Sequence, residues 1–77
     1  MVEVLFFADL QEKMGSEKMV LEDVAGMTIK DLRQRLLSSY DLETKQAIVA
    51  INEEYVQDDT VLQDKDVVAF IPPVSGG

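Results

Sequence analysis

The sequence predicts an α+β fold, a mixed β-sheet with one main helix packed on one face. Three observations predict it. A single long stretch, from Thr28 to about Tyr40, carries the apolar spacing of an amphipathic helix. Short apolar runs of strand character lie on both sides of it, two before and three after. The first and last of these, Met1–Ala8 and Val67–Ile71, are strongly apolar, which suits the buried centre of a sheet.

Each element has its own signal. In Met1–Ala8, residues Val2, Val4, Phe6 and Ala8 share one parity and Glu3 takes the other. Leu5 and Phe7 share the parity of Glu3. Either a helix covers part of that face, or apolar side chains are left exposed for a partner. Asp9–Met14 reads as a short helix, capped by Asp9 and stopped by Gly15, with Leu10 and Met14 one turn apart. Ser16-Glu17 make a turn, and Glu17–Glu22 is a second strand. A loop over Asp23–Gly26 leads to the main helix. Thr28 starts it by accepting a bond from the N–H of Asp31. Ile29, Leu32 and Leu36, with Leu37 beside them, form its apolar stripe, and Lys30, Arg33, Gln34 and Ser38 fall on the wet side.

Beyond the helix, Asp41–Gln46 is a polar loop holding Leu42. Ala47–Ile51 is a third strand, apolar enough to lie inside the sheet. Asn52-Glu53-Glu54 form a tight turn, with Asn suited to the left-handed region. Tyr55-Val56 start a short return strand. Asp58-Asp59-Thr60 precede a single turn around Val61-Leu62, and Gln63–Asp66 turn into the last strand. If the first and last strands lie side by side they run parallel, because the whole chain crosses between them. That is the topology of the β-grasp, the ubiquitin-like fold.

Composition narrows the chemistry. Seventy-seven residues make one domain, and a chain of this size buries only about 60% of its unfolded surface. There is no Cys and no His, so no disulfide, thiolate nucleophile, imidazole base or soft-metal site is available. Fifteen acidic against seven basic side chains give a formal net charge of −8. That sign disfavours nucleic acid and favours steering toward a basic protein surface. Met1-Val2-Glu3-Val4 puts a carboxylate where a basic leader would be, and the apolar runs are too short to span a bilayer. The expected location is therefore the cytoplasm.

The carboxylate clusters Glu53-Glu54, Asp58-Asp59 and Asp64-Asp66 fall in predicted turns and read as solvated loop charges rather than a shielded acid–base pair. They also lack the spacing of a calcium loop. Gly15 and Gly26 are isolated and form no phosphate-cradling loop. The serines have no His to activate them. The lysines sit in polar surroundings. No metal site and no bound cofactor are expected.

The unusual stretch is the last one. Two prolines after Phe70-Ile71 end the sheet, because proline has no N–H for a ladder. Pro72-Pro73 favour an extended exit. Val74 and Ser75 follow, and Gly76-Gly77 add no side chain. The expected organisation is a domain over residues 1–71 and a flexible tail over residues 72–77. Such a tail is slim enough to thread a channel in a partner, and the carbonyl carbon of Gly77 is open to attack.

These residues resemble the ubiquitin-like sulfur carrier family, and within it the small subunits of molybdopterin synthases. Val4-Leu5-Phe6-Phe7-Ala8 looks like that family's opening strand, and Ala50-Ile51-Asn52 like its central strand and turn. Phe70 to Gly77 looks like its ending. The resemblance implies that an E1-like activating enzyme uses ATP to adenylate Gly77, and that a sulfur donor protein converts it to a thiocarboxylate. It implies that Pro72, Pro73, Val74, Ser75 and Gly76 enter the active site of the synthase large subunit, in a heterotetramer. There sulfur passes to the cyclic pyranopterin monophosphate precursor, and two transfers build the dithiolene of molybdopterin. The chain is then a co-substrate rather than an enzyme on its own. The resemblance also assigns Phe7, Tyr55 and Ile71 to the partner face, with Tyr55 departing from the aliphatic residue more usual there. Two other readings stay open at this point. One is a carrier for thiazole synthesis or tRNA thiolation, against which the double proline and Val74-Ser75 argue. The other is a ubiquitin-like binding module with an inert tail.

Overall fold

A computed structural model describes residues 1–73 of the chain. It contains, in order, β1 (Val2–Phe6), α1 (Ala8–Met14), β2 (Lys18–Leu21), α2 (Ile29–Tyr40), β3 (Ile48–Ile51), β4 (Glu54–Tyr55) and β5 (Val67–Ile71). The strands form one sheet in the order β2-β1-β5-β3-β4. The central pair β1–β5 is parallel, with Val4 opposite Val68 and Phe6 opposite Phe70. The pairs β1–β2, β3–β5 and β3–β4 are antiparallel. This is the β-grasp topology expected from the two apolar end strands.

Burial alternates along both central strands, so one face of the sheet is dry and the other open. Val2, Val4 and Phe6 of β1 and Val68 and Phe70 of β5 join Ile29, Leu32 and Leu36 of α2 in one core. Leu37, expected beside that stripe, is more than a third exposed and lies at its edge.

The start of α2 is satisfied donor by donor. Thr28 Oγ1 accepts the Asp31 N–H at 3.2 Å, and Asp31 Oδ2 accepts the Thr28 N–H at 3.3 Å, a reciprocal capping box. The N–H groups of Ile29 and Lys30 donate to the carbonyls of Thr60 and Asp58, each at 3.0 Å. At the other end Asp41 takes the left-handed conformation with φ 55°. The N–H groups of Asp41 and Leu42 return to the carbonyls of Leu37 and Leu36, and the Leu42 side chain is buried.

The structure corrects four local expectations. The first strand stops at Phe6 rather than Ala8, because Phe7 becomes the extended N-cap residue of α1. Asp9 therefore lies in the first turn of α1 and does not cap it. Gly15 ends that helix as expected, at φ 70°. Val61-Leu62 form no helical turn. Val61 bridges Thr28, and Leu62 exchanges backbone bonds of 2.8 Å with Met27 and Gly26, so the segment is held extended beside the start of α2. Arg33 is not on the wet side. Its side chain is 16% exposed and lies beneath the end of β5. Polar partners at that end of the molecule, invisible in helical periodicity, draw it inward.

Candidate functional site

The open face of the sheet is built from the parity that the core leaves behind. Leu5 of β1 stands opposite Ala69 of β5, Ala69 opposite Ala50 of β3, and Ala50 opposite Tyr55 of β4. Two alanines side by side at the centre leave a low floor between larger neighbours. The result is an open depression of about 640 Å³, lined mainly by apolar side chains. Phe7 and Ile71 stand at the end where β5 finishes. Val67, Asn52 and Glu53 stand at the other end.

Phe7, Tyr55 and Ile71 thus line one surface. Phe7 is 44% and Tyr55 76% exposed, large areas for side chains of this kind, and Ile71 is half-buried. The junction between β1 and α1 explains Phe7. It stands one residue past the last paired position of β1, so no further strand or helix covers it. For Leu5 and Phe7 the structure selects the exposed-face alternative. Ile71 keeps the parity of Val67 and Ala69, while Val68 and Phe70 are fully buried on the other side.

Periodicity alone overlooked Ile48. It pairs with Ile71 in the β3–β5 ladder, shares the parity of Ala50, and is 51% exposed. A uniformly apolar strand hid its two faces. The signal was the break in that run, where Ala50 alternates with the bulkier Val49 and Ile51.

Polar groups frame the depression. Asn52, in the left-handed region at φ 51°, donates through Nδ2 to Asp66 Oδ1 at 3.1 Å. Its Oδ1 accepts the Val67 N–H at 3.1 Å, which fixes the turn against β5. Glu3 and Lys18 approach to 3.7 Å across β1 and β2. At the far end of the sheet the Met1 ammonium donates to the Asp64 carboxylate and holds its pKa below the ordinary carboxylate value.

Beyond Ile71 the chain leaves the sheet. Pro72 is half-buried and Pro73 exposed, beside Glu43, Lys45, Gln46 and Ala47 of the loop after α2 and Lys13 of α1. The expected sites at Val74, Ser75, Gly76 and Gly77 lie outside the described residues. Among the described residues, no group of three or more His, Cys, Asp or Glu stands close enough to hold a metal ion. No helix among them is long and apolar enough to cross a membrane.

Comparison with known proteins places the chain in a family. The model of the ThiS family matches residues 4–77. The molybdopterin synthase sulfur carrier subunit of Escherichia coli K12 is 39% identical over 83 residues, spanning 100% of both chains. A Pyrococcus furiosus protein described as a molybdopterin converting factor subunit 1 superposes with a TM-score of 0.83 at 26% identity, covering 95% of this chain and 97% of that one. A chain of the Helicobacter pylori complex of subunits 1 and 2 of molybdopterin-converting factor superposes with a TM-score of 0.69 at 29% identity, covering 99% and 97%. With its β-grasp sheet, its open apolar face and a family match running from the first strand to the last residue, the chain belongs to the ThiS family.

Proposed function

We propose that this chain is the sulfur carrier subunit of a molybdopterin synthase, and that its reactive group is the carboxylate of Gly77. The observation that carries the reading is a juxtaposition in a chain similar over its full length to such subunits. The open apolar face ends at Phe7 and Ile71, and the chain departs toward Gly77 directly from Ile71. A partner gripping that face receives the terminal segment at a fixed place.

The chemistry follows from the carboxylate. It resists nucleophiles because oxide is a poor leaving group. An E1-like activating enzyme joins the carboxylate oxygen to the α-phosphate of ATP, and pyrophosphate leaves. Sulfur at the sulfide level, supplied by a donor protein, attacks the acyl carbon. AMP departs with one former carboxylate oxygen, and a thiocarboxylate remains. Inside the large subunit that sulfur passes to the cyclic pyranopterin monophosphate precursor, and water restores the carboxylate. Two carriers supply the two sulfurs of the dithiolene, consistent with a heterotetramer of two small and two large subunits. Residues 1–71 act as the docking body and residues 72–77 as the delivered segment. The catalytic side chains belong to the partner, so the carrier is a co-substrate working in the cytoplasm.

Reconstitution tests this reading. Thiocarboxylated carrier, mixed with the large subunit and the precursor, is expected to yield molybdopterin, and carrier lacking Gly77 to yield none while still binding the large subunit. Binding without any product from the thiocarboxylated chain would favour an inert binding module. Failure to bind, with sulfur accepted instead by a thiazole or tRNA thiolation system, would reassign the pathway.

A further inference from the structure

Arg33 makes more contacts than a helix surface residue needs. Nη1 donates to the Thr44 carbonyl, Nη2 to the Ala47 carbonyl at 3.0 Å, and Nε to Asp58 Oδ1 at 3.1 Å. The guanidinium carbon lies 5.4 Å from the centroid of the Phe70 ring. One side chain thus ties together α2, the loop after it, the turn at Asp58 and the underside of β5. A mostly buried guanidinium is costly unless its donors are matched, and here each nitrogen donates one bond, three of the five N–H in all.

The position of those contacts matters for the terminal segment. Ile48 stands opposite Ile71, so the same register brings Ala47 opposite Pro72. Pro72 and Pro73 lie in a depression with Glu43, Lys45, Gln46 and Ala47. Prolines carry no N–H to donate to a ladder, and no backbone N–H of the described residues outside the strands donates to the carbonyl of Pro72 or Pro73. What fixes their direction is the wall they lie against. That wall has no strand or helix ladder of its own from Asp41 to Ala47. Leu42 pins one end of it in the core, and Arg33 pins the other through two carbonyls.

We propose that Arg33 is a positioning residue for sulfur delivery. By bracing the 43–47 loop and the Phe70 ring at once, it sets the direction in which Pro72-Pro73 lead the chain away from the sheet. The functional half of this proposal rests on the carrier reading above. Lysine cannot replace Arg33 in this role. A single ammonium cannot reach two carbonyls and a carboxylate while also standing over a ring.

The test uses the full chain as Arg33→Lys and Arg33→Met. In the wild type, NMR is expected to show NOEs from the Pro72 and Pro73 ring protons to residues 43–47. In both variants these should weaken or vanish while cross-strand NOEs between Val4 and Val68 persist. In single-turnover sulfur transfer at saturating large subunit, the variants should be slower by roughly tenfold or more, the scale of cost for a misplaced reacting group. Their Kd for the large subunit should match that of the wild type, because the docking face lies on the other side of the sheet. A folded variant that transfers sulfur at the wild-type rate once saturated would overturn the proposal and leave Arg33 a brace of the fold alone. If Arg33→Met fails to fold, Arg33→Lys decides. If wild-type thiocarboxylate transfers no sulfur, the carrier reading falls. The proline NOEs then decide whether Arg33 positions the exit, and their persistence in the variants would overturn that too.

Discussion

Phe7 is a large apolar side chain left in water, and on the carrier reading proposed above a partner would bury it. Nearly half of its surface meets water, beside Leu5 and Ile71 on a face with no helix over it. Its truncation removes little from the core. Phe7→Ala is therefore expected to leave the melting temperature nearly unchanged while weakening large-subunit binding by about 2 kcal/mol, a factor of roughly thirty. Calorimetric titration beside a thermal melt checks both halves. Equal affinity for the variant would remove Phe7 from the docking face. Asp41 carries the opposite kind of defect. It occupies the left-handed cap position of α2 at φ 55°, where glycine fits without a Cβ penalty, and its carboxylate accepts no hydrogen bond from the described residues. Asp41→Gly is expected to stabilise the protein by up to about 1 kcal/mol. Chemical denaturation would show a higher midpoint at unchanged slope.

Elements were legible where a local rule was strong. The period of Ile29, Leu32 and Leu36, the Thr28–Asp31 box and the apolar parity of β1 and β5 are all written in adjacent residues, and each appears in the fold. The misplaced features answer to partners distant in sequence. Arg33 turns inward because Thr44, Ala47, Asp58 and Phe70 meet it there, and no helical period encodes that meeting. Val61 is extended because Thr28 and Met27 pair with its neighbourhood across more than thirty residues of chain. Thr28 illustrates the strong case. Its hydroxyl satisfies the Asp31 N–H, so Thr28→Ala should cost about 1 kcal/mol. In a domain of this size that lowers the melting temperature by roughly 4–8 °C. An unchanged melt would mean that water replaces the cap at no cost.

At the scale of the molecule, one chain order places two functional parts together. Parallel pairing of the first and last strands brings Phe7, just past β1, beside Ile71, at the end of β5. The open apolar face, the proposed docking surface, and the departing segment therefore share one end of the sheet, although their residues lie at opposite ends of the sequence. Parity offered an exposed Phe7 as one of two alternatives, and the prolines marked the departing segment. Their partnership with Tyr55 came from resemblance, and the alanine floor between them only from the register of four strands. An acidic chain carrying that surface suits a partner with a basic rim. The chemistry itself is tested most directly by the intact mass of the protein after incubation with ATP, a sulfide source and the activating enzyme. A sulfur carrier is expected to gain the mass difference of one oxygen replaced by sulfur, and the chain lacking Gly77 to gain none. An unchanged mass, with the same enzyme proven active on a known carrier, would contradict the assignment of Gly77 as the sulfur-bearing residue.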